Sequence, residues 1–170
     1  MRIELLPHKG ISIDGSIIGL GMDIASLNIN YDMEKYDTTY YLFDSNLQIE
    51  TENNLICSIM CCIHKESSIV PMLAGHALRN LEVKEMVDLL NKILNDSAAL
   101  FENNHTYVWL NSDLSCWQEI TPDDINEIIA ESKEDGVYEE MLEDIENDTF
   151  RSKHFDTICI AKPGLLCPIK

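Results

Sequence analysis

The chain has 170 residues, 45% of them hydrophobic and 25% charged, which is typical of one globular domain with its own core. Its 12 lysines and arginines stand against 30 aspartates and glutamates, so the formal net charge is −18. A surface this negative repels nucleic acid and anionic membranes and favours cationic partners, so we expect neither nucleic acid nor a membrane as a partner.

The N-terminal segment, MRIELLPHKGISIDG, contains no apolar stretch typical of an export signal, and no run in the chain approaches membrane-spanning length. Six cysteines are scattered through the sequence, mostly beside isoleucine, methionine and leucine: Cys57, Cys61, Cys62, Cys116, Cys159 and Cys167. These features predict buried, reduced thiols in a cytoplasmic protein.

One nine-residue phrase occurs twice, as TYYLFDSNL in residues 39–47 and as TYVWLNSDL in residues 106–114. Each copy is predicted to form a strand, a turn and the start of a second strand. Before the first copy, residues 16–27 place apolar side chains at helical spacing. After it, residues 55–63 form a long apolar run that predicts a strand.

The second copy has a similar setting. Residues 73–94 precede it and predict an amphipathic helix, and a strand is predicted at residues 155–160, after a long insertion. The sequence therefore predicts an α+β fold in which helices pack on one face of an antiparallel sheet. We expect one domain, residues 1–170, made of two similar helix–strand–turn–strand halves, about 1–66 and 67–170.

The insertion in the second half is predicted to form two acidic helices. Thr121 is the expected N-cap of the first helix, Pro122 its first residue, and Gly136 its end. Apolar residues at the spacing i, i+3, i+4, i+7 predict the second helix: Tyr138, Met141, Leu142 and Ile145. Residues 119–148 hold thirteen carboxylates and one cation, so they carry −12 of the net charge.

No pattern identifies a catalytic, cofactor or metal site. Cys57, Cys61 and Cys62 lie near His64, but strand alternation places the thiols on two faces and no second CxxC pair is present. The glycines of GSIIGLG match neither a dinucleotide nor a phosphate loop, and no EF-hand loop occurs. His76, within a helical pattern, has no nucleophile in a recognisable motif and is interpreted as a helix-start histidine. We expect no cofactor.

The dense carboxylates of the insertion are the candidate partner-binding residues. Carboxylates on exposed helix faces are usually only solvated, but like charges at i,i+4 weaken a helix by about a few tenths of a kcal/mol per pair. The alternative interpretation is that the chain keeps several such pairs for a cationic partner. The candidates lie on the outward side of the two predicted helices: Glu127, Glu131, Glu134, Asp135, Glu139, Glu140 and Glu143. An exposed strand edge is the competing interface, because main-chain recognition leaves no sequence signature.

The opening ELLPHKGISIDGSIIGLGMDIASL resembles the start of a bacterial family of small immunity proteins, in which an ELLP…G…LGM opening leads through a short helix into strands. The ending HFDTICIAKPG is also similar to that family. The resemblance covers the N-terminal sixty residues and a short C-terminal piece. It implies a cytoplasmic protein that binds and neutralises a cognate toxin, often a basic nuclease.

Three functional hypotheses follow. The first is a non-enzymatic immunity protein, since nuclease toxins present cationic surfaces to phosphate backbones and complementary charge speeds encounter. The second is a phage-type acidic mimic of nucleic acid that blocks a DNA-binding protein, with carboxylates spread over much of its surface. The third is a small acidic cytosolic enzyme with an unrecognised site, which requires a pocket with convergent polar groups.

Overall fold

The structure, a computed structural model, describes residues 1–27, 31–101 and 105–166. The elements in chain order are β1 (Arg2–Leu6), β2 (Gly10–Ile13), β3 (Ser16–Gly19), a 3-10 helix (Ile24–Ser26), β4 (Glu34–Tyr36), β5 (Thr39–Leu42), β6 (Leu47–Glu52), β7 (Leu55–Cys62), β8 (Val70–Leu73), β9 (His76–Ala77), α1 (Val83–Leu94), β10 (Ala99–Phe101), β11 (Thr106–Trp109), β12 (Leu114–Trp117), α2 (Pro122–Glu134), α3 (Leu142–Arg151) and β13 (Thr157–Ala161).

The strands form two sheets. The smaller sheet has the order β3-β2-β1-β8-β9 and is antiparallel except for the β1–β8 pair. The larger sheet has the order β10-β11-β12-β13-β7-β6-β5-β4 and is antiparallel throughout. One buried core joins side chains of both sheets and of α1, such as Ile3, Ile49 and Leu90. The α+β fold predicted from the sequence is confirmed.

The repeated phrase forms the same hairpin twice. The strands β5 and β6 pair in the first copy, and β11 and β12 pair in the second. The first hairpin aligns Thr39 with Glu50 and Leu42 with Leu47, and the second aligns Thr106 with Trp117 and Trp109 with Leu114. The two registers coincide residue for residue, so the sequence similarity reports a structural repeat.

The repeat extends beyond the hairpins. The strands β4-β5-β6-β7 form one four-stranded meander and β10-β11-β12-β13 form another, and the two meet through the antiparallel β7–β13 pair. Following the two ladders outward from the hairpins makes Met60 the counterpart of Cys159, and these two residues are directly paired. The meanders are therefore related by an approximate twofold axis that passes between Met60 and Cys159.

The helix predicted for residues 16–27 is wrong. That segment forms β3 and the 3-10 helix, which Asp23 caps by accepting a hydrogen bond from the Ala25 N–H at 2.9 Å. Two glycines weaken a helix here, and pairing of Ile18 with Ile11 of β2 places its side chain in the core instead. Within the described residues, the two halves share the four-stranded meander, but only the second has an α-helix before it.

The helix predicted within residues 73–94 begins later than expected, at Val83. The preceding residues turn through Ala74 and Gly75, both at positive φ, and complete β8 and β9. Parallel pairing of β8 with β1, far away in sequence, holds this segment extended. His76 is an exposed residue of β9, so its interpretation as a helix-start histidine is wrong.

The predicted strands at the sheet centre are present. Residues 55–63 correspond to β7, where Cys57 is an extra residue in a β-bulge opposite β6. The last strand begins at Thr157 rather than Phe155. Phe155 instead packs in the core, where its ring meets Tyr107 edge-on with centroids 5.2 Å apart.

The cysteines follow the prediction of buried thiols in part. Cys61 and Cys116 lie in the core, Cys57 is buried, Cys62 and Cys159 are half-buried, and Cys167 lies outside the described residues. The five described cysteines form no disulfide with one another. Burial raises the pKa of all five thiols, that of Cys159 to about 12.

Candidate protein-binding surface

The insertion between β12 and β13 is the main asymmetry between the two meanders. In the first meander the equivalent connection, from β6 to β7, consists only of Asn53 and Asn54, both at positive φ. In the second meander the chain instead forms α2 and α3 before it returns to the sheet as β13. The acidic segment thus lies at one end of a duplicated scaffold.

Local sequence sets the start of α2. The Thr121 hydroxyl accepts a hydrogen bond from the Asp124 N–H at 3.3 Å and donates to Asp124 Oδ2 at 2.7 Å, which completes the predicted N-cap. Asp124 Oδ2 also lies 3.5 Å from His105 Nε2, while His105 Nδ1 lies 2.9 Å from the Gln118 carbonyl oxygen. These contacts tie the first turn of α2 to the residues that flank β11 and β12.

The sequence predicted the end of α2 correctly but placed the start of α3 too early. Gly136 follows α2 with a φ of 74°, as its position in the sequence predicted. The second helix starts at Leu142 rather than near Tyr138, because the intervening residues form hydrogen-bonded turns. The two helices contact each other, and Ile125 of α2 and Ile145 of α3 are buried.

Salt bridges close the base of the insertion. Arg151 Nη1 lies 3.5 Å from Asp148, its Nη2 lies 3.9 Å from Asp156, and it also pairs with Glu119. The Glu119 N–H donates to Asp156 Oδ2 at 2.7 Å. Glu119 precedes α2 and Asp156 follows α3, so this cluster holds the two ends of the insertion together.

The seven predicted partner-binding residues form one set that we call the acidic face: Glu127, Glu131, Glu134, Asp135, Glu139, Glu140 and Glu143. All seven side chains are exposed. Three lie on α2, Asp135 is its C-cap, and Glu143 lies in the first turn of α3. Glu139 and Glu140 were predicted on the second helix but lie in the turns between the helices.

The acidic face is not neutralised within the part of the chain that the structure describes. None of its seven carboxylates takes part in an ion pair there. The nearest cation in sequence, Lys133, lies over the Tyr138 ring at 4.9 Å from the centroid. The carboxylates of Glu127 and Glu131 repel at i,i+4, an unfavourable term of about a few tenths of a kcal/mol. The face therefore projects an uncompensated negative potential.

A groove of about 600 Å³ lies beside α3 and was not predicted. The last turns of α3, the residues after β7 and the residues before α1 line it. Phe150 is 52% exposed and lines the groove from α3. A sequence signal existed, since Phe150 falls outside the apolar spacing that predicted this helix and occupies its polar side.

A smaller cavity of about 350 Å³ is lined by His8 and Cys57, and His8 Nδ1 lies 3.1 Å from Asp113 Oδ2. Cysteine, histidine and aspartate are the residue types of a cysteine hydrolase. Here, however, the Cys57 thiol donates to the Glu50 carbonyl oxygen at 3.4 Å, and desolvation raises its pKa. A protonated thiol bonded to the main chain is not an activated nucleophile.

Two general features of the described residues bear on other functions. Over residues 1–27, 31–101 and 105–166, no three histidine, cysteine or acidic side chains are grouped so as to hold a metal ion. In the same ranges, no helix combines the length and the apolar character needed to cross a membrane.

Comparison of the chain with protein-family models, with curated proteins and with solved structures finds no match.

Proposed function

We propose that this protein is an immunity protein: a non-enzymatic, cytoplasmic inhibitor that binds a basic toxin, such as a nuclease domain, one-to-one through the acidic face. The observation that carries the proposal is the asymmetry of the repeat. The scaffold is duplicated strand for strand, and the segment added to one copy holds thirteen of the 30 acidic residues. An addition of this composition contributes few buried apolar side chains and a strong negative electrostatic potential.

The state of the seven carboxylates suits association with a cationic surface. Because they are exposed and have no ion-pair partner among the described residues, no internal ion pair has to break when a cation approaches. Charges at the rim of an interface act mainly on the association rate, which complementary potentials raise strongly at low salt. A carboxylate that becomes buried against arginine or lysine costs roughly 2–5 kcal/mol when removed.

The protein would inhibit the toxin by excluding its nucleic-acid substrate. A nuclease binds nucleic acid largely through cationic side chains that contact phosphates. A protein that covers those side chains with carboxylates competes with the substrate and needs no chemistry of its own. The distribution of the carboxylates favours this proposal over a nucleic-acid mimic, because thirteen of the 30 lie in one segment, whereas a mimic spreads them over much of its surface.

The experiment is coexpression with the toxin candidate encoded by the adjacent gene, followed by binding kinetics with the purified pair. The test variant carries Glu127→Lys and Glu131→Lys. The matched control carries Asp32→Lys and Glu34→Lys, two exposed acids far away in sequence with the same change in charge. In the test variant residues 127 and 131 still carry like charges at i,i+4, while each gains an opposite charge at i,i+4, Asp123 and Asp135 respectively, so the change is not expected to weaken α2.

We expect the Glu127→Lys, Glu131→Lys variant to associate about tenfold more slowly, to show a shallower dependence of that rate on salt, and to protect cells less. The control variant keeps most of the association rate. Full protection by the folded test variant would show that the acidic face is only a solvated surface, and the exposed strand edges would then be the interface to test.

A further inference from the structure

The groove beside α3 has an apolar floor. Ile63, Leu78 and Phe155 are each at most 3% exposed and line the groove together with the half-buried Leu81. These side chains belong to the main core, so the floor is rigid. At about 600 Å³ the groove is large enough for a long side chain of another protein.

The groove is continuous with the acidic face along α3. Glu143, Glu146 and Phe150 are all exposed, and their spacing of three and four residues places them on one side of the helix. This stripe starts in the acidic face and ends at the wall of the groove. A surface that covers the acidic face along α3 therefore also reaches Phe150.

The Phe150 ring already accepts a cation in the free protein. The Lys65 ammonium lies 5.8 Å from its centroid, within the range of a cation–π contact, and the His154 ring lies against it at 4.6 Å. A guanidinium stacks on an aromatic face better than an ammonium does, because it is planar and more weakly hydrated.

The charges in and around the groove favour a cation over an anion. Lys65 and Arg151 line the groove together with Glu66 and Asp156, so these four charges cancel. Two further carboxylates that pair with Arg151, those of Glu119 and Asp148, add two negative charges beside it. The side chain that best fits the groove therefore has an aliphatic stem and a positive, planar end.

We infer that this groove is the receptor pocket for one arginine side chain of the basic partner, with Phe150 as its aromatic anchor. The arginine stem lies against Leu81, above the buried Leu78 and Phe155, and the guanidinium stacks on Phe150 in place of the Lys65 ammonium. The inference rests on the proposed function, which supplies the basic partner whose arginine fills the groove. Whereas the acidic face sets the association rate, this pocket sets the lifetime of the complex.

A first test needs no toxin. Arginine amide is titrated into the isotope-labelled protein at 0.15 M salt, and citrulline amide, which has the same length without the charge, is the matched probe. We expect saturable shifts of the Leu81, Phe150 and Phe155 resonances with arginine amide, and binding about fivefold weaker in the Phe150→Leu variant, which keeps an apolar side chain without an aromatic face. Equal shifts with citrulline amide, or shifts confined to the acidic face, would overturn the inference.

A second test uses the partner and separates the two proposals. Phe150→Leu is expected to raise the dissociation rate at least about fivefold with an unchanged association rate, whereas the control Ile17→Ala, at a residue 57% exposed on β3, changes neither rate. Suppose that Phe150→Leu leaves the dissociation rate unchanged while the Glu127→Lys, Glu131→Lys variant associates more slowly. The pocket is then rejected, and the proposed function stands. If neither variant affects binding, both the pocket and the acidic face are rejected as the interface.

Discussion

Met60 and Cys159 face each other across the β7–β13 ladder, and the approximate twofold axis of the larger sheet passes between them. Because the axis relates the two hairpins, buried side chains at equivalent positions occupy equivalent sites in the sheet. Leu47 and Leu114 are such a pair, and both are fully buried. The relationship is therefore open to a thermodynamic test.

Truncation of either leucine is expected to destabilise the protein by a similar amount. Leu47→Ala and Leu114→Ala each lose buried apolar contacts and leave a cavity, at a cost of about 2–5 kcal/mol in the free energy of unfolding. The control is Leu100→Ala, since Leu100 is 46% exposed on β10 and its truncation costs far less. Urea unfolding monitored by circular dichroism measures all three. Costs that differ by more than twofold between Leu47→Ala and Leu114→Ala would contradict their equivalence.

Removal of the α2 cap is expected to weaken the insertion. Thr121→Ala loses the hydroxyl that accepts from the Asp124 N–H, and substitutions of this kind cost about 1 kcal/mol. Thr121→Ser keeps the hydroxyl and serves as the control. The measurement is the midpoint of urea unfolding together with hydrogen exchange of the first turn of α2. If Thr121→Ser and Thr121→Ala lose the same stability, the cap contributes nothing.

Asp124 is expected to make part of the stability dependent on acid. Its pKa is lowered from the usual value, first by the hydrogen bond from the Thr121 hydroxyl, then by that from the Thr121 N–H, and also by the nearby His105. A carboxyl with a depressed folded-state pKa contributes stability above its unfolded pKa and loses it as pH falls through the folded one. The stability difference between the native protein and Asp124→Asn should therefore shrink as the pH falls below about 4, the usual pKa of an aspartate, and through the lower folded-state pKa. A difference independent of pH would contradict this role.

The buried thiols are expected to react slowly. Burial raises the pKa of Cys61 and Cys116, so thiolate, the reactive species, is scarce at pH 8. Alkylation of these two in the folded protein should be at least about tenfold slower than in urea, as measured by mass spectrometry of the labelled peptides. The half-buried Cys62 is the internal comparison and should react sooner. Rapid labelling of Cys116 in native protein would show that the core opens.

Local rules explain what the sequence by itself determined. The alternation and turn residues of the nine-residue phrase predicted both hairpins, since a hairpin closes over a few residues. Thr121, Pro122 and Gly136 predicted both ends of α2, because capping involves only adjacent backbone groups. The exposure of the acidic face also followed from the sequence, since carboxylates are almost never fully buried unless paired.

Contacts between segments that are distant in sequence determined the remaining features of the fold and of the groove. The spacing of apolar residues before each hairpin fits a helix, but pairing of β3 with β2 kept the first segment from forming an α-helix. Pairing of β8 with β1 and β9 delayed the start of the second helix to Val83, because the ladder and the core outweigh a weak local preference. The groove at Phe150 exists only because α3 comes to lie beside residues of the β7–β8 and β9–α1 connections. The pairing of Met60 with Cys159 joins residues far apart in sequence, and no local pattern specifies such a partner.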